Sequence, residues 1–212
     1  MSLNFREVSG ALEIGGDDRP GDENYMIFPD HPAFDGFMHI CMCVCAMSLA
    51  ISKLRDANVK EGDYVGLSCK GLDYTIRIPV FGPVHLALER RSPTYAHIAI
   101  HWGRNPIAQS IWSDQHRQWL QRSIWPVFVE LFESSPPGWK KCSDGLWPLA
   151  KVLRNSYSHG GKIAWDRGKD GAVVEWGGVR ISRDHDRNKP VGDFVGDADL
   201  IIMMLAMFDG KI

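Results

Sequence analysis

Leu146-Trp147-Pro148-Leu149-Ala150-Lys151-Val152-Leu153-Arg154-Asn155-Ser156-Tyr157-Ser158-His159-Gly160-Gly161 is the stretch on which the reading of this chain turns. Leu146, Leu149, Ala150 and Leu153 recur at i, i+3, i+4 and i+7, the spacing of a helix with one buried face. Ser143 or Asp144 offers an N-terminal cap, Pro148 is tolerated in a first turn, and Gly160-Gly161 stops the helix. Such a helix delivers a cation, an amide and an imidazole (Arg154, Asn155 and His159) at its C-terminal end.

At about 100° per residue, Asn155 and His159 stand roughly 40° apart around the helix, and Arg154 and His159 roughly 140° apart. The arginine side chain is long enough to reach round to a shared ligand. A planar guanidinium fork, a neutral amide and an imidazole that titrates near neutrality suit acid–base chemistry on a phosphodiester. None of the three needs a metal or a cofactor. The interval itself is not selective, since Arg180 and His185 repeat it. Their context differs, because Arg180 ends a β-branched run and His185 falls in Ser182-Arg183-Asp184-His185-Asp186-Arg187-Asn188-Lys189, which reads as solvated surface.

Leu153-Arg154-Asn155-Ser156-Tyr157-Ser158-His159-Gly160-Gly161-Lys162 resembles the Arg-Asn-x-x-x-His motif of the HEPN superfamily, small all-helical proteins that include ribonucleases of toxin, CRISPR and anti-phage systems. The likeness covers roughly residues 143–208: glycines after the motif, a short strand excursion containing Trp165 and Trp176, then a last apolar helix. It implies a mainly α fold, a HEPN-like helical bundle with a small antiparallel β excursion before the last helix. It also implies a homodimer in which two motifs face each other, with RNA as substrate and an antitoxin protein as a second partner. In that chemistry the RNA 2′-hydroxyl attacks the adjacent phosphate. His159 would be the general base or acid, Arg154 would stabilise the phosphorane-like transition state, and Asn155 would orient the phosphate or the helix end. Lys151, Ser158 and Lys162 flank these residues and would hold the RNA backbone. A second class of function fits the same residues: a non-catalytic HEPN-like dimer that binds a nucleotide, RNA or a protein partner. Arginine and histidine in a last helical turn also complement the helix dipole with no ligand at all.

The formal net charge of the 212 residues is −2, which by itself does not favour a nucleic-acid partner. Residues 146–189, however, carry nine Lys or Arg against five Asp or Glu, a basic patch around the motif that could hold a phosphate backbone or simply be solvated surface. Apolar content of 44% with 24% charged residues fits a folded chain, and the length suits one sizeable core. Of five cysteines, Cys41, Cys43 and Cys45 lie in an expected helix where neighbouring side chains diverge, so they read as reduced thiols of a cytoplasmic protein. No signal peptide or membrane span is expected.

Residues 1–30, rich in Gly, Asp and Pro, are expected to be irregular, ahead of one domain over 31–212. From about Phe34 to Ala57 the chain is apolar almost all round, a helix buried on most sides or one buried by the core and a partner chain together. The middle, about 60–103, is ambiguous. Tyr74, Ile76 and Ile78 alternate as in a strand, whereas His97-Ile98-Ala99-Ile100-His101-Trp102 reads either as a strand with Ile98, Ile100 and Trp102 inward or as a helical turn. Only the helical alternative would put His97 and His101 on one face at zinc-ligand spacing, and position 98 lacks the Glu of the metalloprotease motif.

Asn105-Pro106 and Ser113-Asp114 signal helix starts, and Leu120, Ile124, Val127, Phe128 and Leu131 keep helical spacing past Pro126, an expected kink. After the motif, residues 162–165, 172–176 and 179–181 read as short strands, with Asp166–Gly171 and Gly177-Gly178 as turns. Asp197 or Asp199 caps a uniformly apolar last helix. Among the tryptophans, Trp112, Trp119, Trp125 and Trp147 are expected in the core. Trp165 and Trp176, near the motif in sequence, are the better candidates for stacking on a base.

Overall fold

The computed structural model describes residues 22–54, 64–72, 74–79, 96–102, 114–138, 140, 145–165 and 172–209. Of these, 54% are helical, so the chain is mainly helical, but two antiparallel sheets accompany the helices where one was expected. The first helix, α1, spans Phe34–Leu54. Phe37, Ile40, Cys41, Val44, Cys45 and Ser48 form its buried stripe. The opposite stripe, Asp35, His39, Met42, Ala46 and Ala50, is exposed, so burial holds on one side of this helix and not on most sides.

Helix α2, Asp114–Ser134, starts at the expected cap and runs on through Pro126. Proline has no N–H to close on the carbonyl four residues earlier, that of Arg122, and Pro126 is exposed, so the interruption faces solvent. Helix α3, Leu146–Ser158, is the motif helix, with Leu146, Leu149, Ala150 and Leu153 buried as the spacing predicted. Its N-cap is Gly145, with no side-chain cap. At φ +88 this position favours glycine, and a Cβ there would stand 2.2 Å from the Glu175 carbonyl oxygen. Ser143 and Asp144, the expected caps, lie outside the described residues.

The larger sheet was not anticipated as a unit. Its strands are β1 (Asp22–Ile27), β2 (Tyr64–Ser68), β3 (Tyr74–Pro79) and β4 (Ala96–Trp102), in the order β1-β4-β3-β2 with every neighbour antiparallel. Ile76 sits opposite both Leu67 and Ile100, Val65 opposite Ile78, and Ile27 opposite Ala96. All are buried, as is Ile98, on a face that packs against α1 and the last helix. On the other face the Arg77 guanidinium lies 5.0 Å from the centre of the Tyr64 ring. Residues 22–27 are therefore an edge strand inside the segment expected to be irregular. The 97–102 segment takes its strand alternative, which separates His97 and His101 by about 13 Å along the chain and removes the zinc-ligand spacing.

The smaller sheet is the expected excursion. Strands β5 (Val173–Trp176) and β6 (Val179–Ser182) are joined by Gly177 and Gly178, both at positive φ as a tight hairpin requires. Val174, Trp176, Val179 and Ile181 form its buried face, and β5 packs on α3. Residues 162–165 do not form the expected strand. They make one bridge, Lys162 to Pro190, and run beside the 187–191 segment, where the Ile163 N–H donates to the Lys189 carbonyl.

The last helix, α4, spans Asp197–Asp209. Ala198, Leu200, Ile201, Ile202, Met203, Met204, Leu205, Met207 and Phe208 are all buried within this one chain, so its uniform apolarity serves the chain's own core and leaves none over for a partner. The helix begins before Asp199, which lies in its first turn rather than at the expected cap and reaches back to the residue before the helix. The buried carboxylate accepts the Gly196 N–H at 2.7 Å and, from the turn after β2, the N–H groups of Lys70, Gly71 and Leu72 at 2.7, 3.2 and 2.8 Å. One continuous apolar cluster runs from Ile27 to Phe208. The expected start at Asn105-Pro106, together with Trp112, Cys142 and the 166–171 turn, lies outside the described residues.

Candidate active site at the end of α3

Ser156 organises the last turn of α3. Its hydroxyl donates to the Val152 carbonyl at 2.7 Å and accepts the Ala164 N–H at 3.0 Å, while its carbonyl accepts from His159 at 3.1 Å and Gly161 at 2.9 Å. Gly160 and Gly161, at φ +70 and +78, supply the left-handed turn that ends the helix. The Gly161 carbonyl then accepts the Val191 N–H at 2.8 Å. The motif is thus clamped between the helix and the returning chain.

The structure brings Arg154 and Asn155 together: the guanidinium Nη1 lies 3.4 Å from Asn155 Oδ1. The same guanidinium donates through Nε to Glu133 of α2 at 2.5 Å, a partner the sequence did not suggest. Lys140 shares that carboxylate at 3.9 Å. His159 occupies the C-cap and is exposed, as is Ser158 before it. Lys151 is half-buried about two turns earlier on α3, and Lys162 is exposed beyond the glycines. Of the candidate residues, then, Arg154 and Asn155 form a unit anchored to α2, whereas Ser158, His159 and Lys162 present themselves to solvent. Arg187 and Lys189 are exposed on the segment that pairs with Ile163, so the basic patch does flank the motif.

The tryptophan expectations are largely reversed. Trp165 and Trp176 are 8% and 7% exposed, the latter on the inward apolar face of the hairpin, and Trp119 is 47% exposed where core was expected. Trp147 and Trp125 are buried as anticipated. Trp125 stacks on Tyr157, with ring centres 5.8 Å apart and planes 15° from parallel. Tyr157, although on the packed motif helix, is 43% exposed. A groove of about 470 Å³ opens beside this pair, with Gln121 and Arg122 of α2 on one side and Gly161 and Gly192 on another. Sequence reasoning passed over it because its walls come from three separated segments.

The second Arg-x-x-x-x-His interval has a structural role. His185 Nδ1 accepts the Ser182 N–H at 3.2 Å and its ring lies 4.6 Å from that of Phe194. Cys41, Cys43, Cys45 and Cys69 form no disulfide among the described residues, and burial pushes the Cys45 thiol up. Among the described residues no three His, Cys, Asp or Glu side chains gather as metal ligands would, and no helix is long and apolar enough to cross a membrane. No protein-family model matches the chain, and neither curated proteins nor solved structures include a significant match to it.

Proposed function

We propose that this chain is an endoribonuclease of HEPN type that cleaves RNA without a metal. The observation that carries the reading is the arrangement at the end of α3: a coupled Arg154–Asn155 pair followed by an exposed His159 at the helix terminus, with Lys162, Arg187 and Lys189 exposed nearby. In the first step His159 takes the proton of a ribose 2′-hydroxyl as its oxygen attacks the adjacent phosphorus. The 5′-oxygen leaves with a proton from a second acid, the His159 of a partner chain in a homodimer, giving a 2′,3′-cyclic phosphate and a 5′-hydroxyl. Arg154 neutralises the charge gathering on the phosphoryl oxygens, and Asn155 holds the guanidinium in position. Met42, Ala46 and Ala50 on the exposed stripe of α1 support a homodimer by offering apolar surface that no described residue covers.

The Glu133 carboxylate on Arg154 favours a second reading, a non-catalytic dimeric module that binds a nucleotide, RNA or a protein partner, because it already satisfies part of the motif cation. Cleavage of RNA in excess EDTA, run beside His159→Ala and with the mass in solution determined by light scattering, separates the two. The nuclease reading expects cyclic phosphate ends from the parent protein and a loss of about 10²–10⁴-fold in His159→Ala. Equal rates for both proteins, or no cleavage by a folded parent dimer, would leave the binding module standing.

A further inference from the structure

The groove beside Trp125 and Tyr157 is not used by the catalytic assignment, and its chemistry is specific. Its lining combines the two aromatic rings with the polar Gln121 and Arg122, the character of a site for a flat ligand with hydrogen-bonding edges. Tyr157 has one face against Trp125 and is 43% exposed. A ring already immobilised by stacking loses little further freedom when a second ring stacks on it. Arg122 is exposed at the groove edge and forms no ion pair among the described residues. Gln121 next to it is half-buried and carries both a donor and an acceptor.

Shape and charge agree with this. A volume of about 470 Å³ lies within the range of roughly 300–1,000 Å³ of small-molecule sites. Gly160 and Gly161 form a low wall, since a Cβ on either would meet nothing within 4 Å. Lys162 follows that wall, and Lys189 lies two residues before Val191 on the other lip. Asp193, exposed next to Gly192, is the carboxylate on that lip. His159 sits in sequence between Tyr157 and Gly160, both of which line the groove. We infer that the groove is a nucleobase subsite. The base of the ribonucleotide next to the scissile phosphate stacks on Tyr157, Arg122 holds its flanking phosphate, and Gln121 reads its edge. This rests on the ribonuclease reading for its substrate, but base binding and cleavage can fail separately.

The test uses the full chain carrying His159→Ala, titrated calorimetrically with each of the four nucleoside 5′-monophosphates. Arg122→Ala, Tyr157→Ala and Tyr157→Phe are then added singly, each checked for folding by its thermal transition. Binding should weaken about tenfold in Arg122→Ala and in Tyr157→Ala and persist in Tyr157→Phe, since stacking needs the ring and not the hydroxyl. If Tyr157→Ala unfolds, Arg122→Ala and the Gln121→Ala change in preference among the four bases decide the matter. Nucleotide binding that is absent, or present and indifferent to Arg122 and Tyr157, overturns the subsite even where the parent protein cuts RNA. Nucleotide binding with the expected losses, in a parent protein that cuts no RNA, overturns the nuclease and keeps the subsite.

Discussion

Replacing Ser156 with alanine tests how far the motif depends on its own helix end. The hydroxyl is fully buried and makes two hydrogen bonds, to the Val152 carbonyl and from the Ala164 N–H. The Val152 carbonyl loses only a supplementary donor. The Ala164 N–H is worse placed, because Ala164 is itself buried and water cannot replace the lost acceptor. A lost hydrogen bond and a stranded buried donor together cost about 2–3 kcal/mol. In a chain of this size each kcal/mol lowers the melting temperature by about 2–4 °C, so the transition should fall by about 4–12 °C. The released segment, residues 161–165, positions the glycines that follow His159, so RNA cleavage should fall as well although Ser156 touches no substrate. The assay is thermal unfolding followed by circular dichroism, with amide hydrogen exchange measured at Ala164. A melting temperature within about 1 °C of the parent, with Ala164 exchange unchanged, would refute the reasoning.

Other expectations follow from the same structure. Asp199→Ala removes the acceptor of four main-chain N–H groups, and a loss of about 3–5 kcal/mol should appear as a lower urea midpoint; an unshifted midpoint would mean that the turn after β2 finds other acceptors. For His31, burial lowers the pKa and Asp30 opposes this only in part. The unfolded chain therefore takes up a proton near pH 6.5 that the folded chain resists, so this contribution to stability is complete above about pH 6.5 and is lost as pH falls toward the lowered folded value. Melting temperatures of parent and His31→Phe proteins between about pH 8 and pH 5 should converge toward the acid end, and parallel curves would contradict the assignment. Glu133→Gln releases an exposed pair, so stability should change by less than about 1 kcal/mol while RNA cleavage rises through the freed Arg154; slower cleavage would instead make Glu133 a positioning residue.

The helices were legible because their buried stripes are local. Leu146 to Leu153 and Leu120 to Leu131 carry their periodicity within a few turns, and Gly177-Gly178 announces a hairpin by itself. The larger sheet was not, because it is assembled from distant pieces. Asp22-Glu23-Asn24-Tyr25-Met26-Ile27 has no alternation and becomes a strand by pairing with residues 96–101, 69 to 79 positions away. Burial of Trp176 likewise depends on how the hairpin leans on α3, where only glycine fits at position 145. At the candidate site, the order Arg154, Asn155, His159 was visible as spacing. Glu133 and the pairing of Trp125 with Tyr157 were not, since helix-to-helix approach has no signature in either helix alone.

The enclosed position of α4 bears on how the chain is made. Until Asp197–Asp209 has been synthesised, the inner row of Val65, Leu67, Ile76, Ile78, Ile98 and Ile100 lacks one of its two covering helices, and the amides of Lys70, Gly71 and Leu72 lack their acceptor. Leu72 and Asp199 are 127 residues apart. At roughly 5–20 residues per second the ribosome takes about 6–25 s to close that interval. For that time the nascent sheet keeps open edges and an incompletely covered apolar face, the interval in which this chain is most exposed to association with its neighbours.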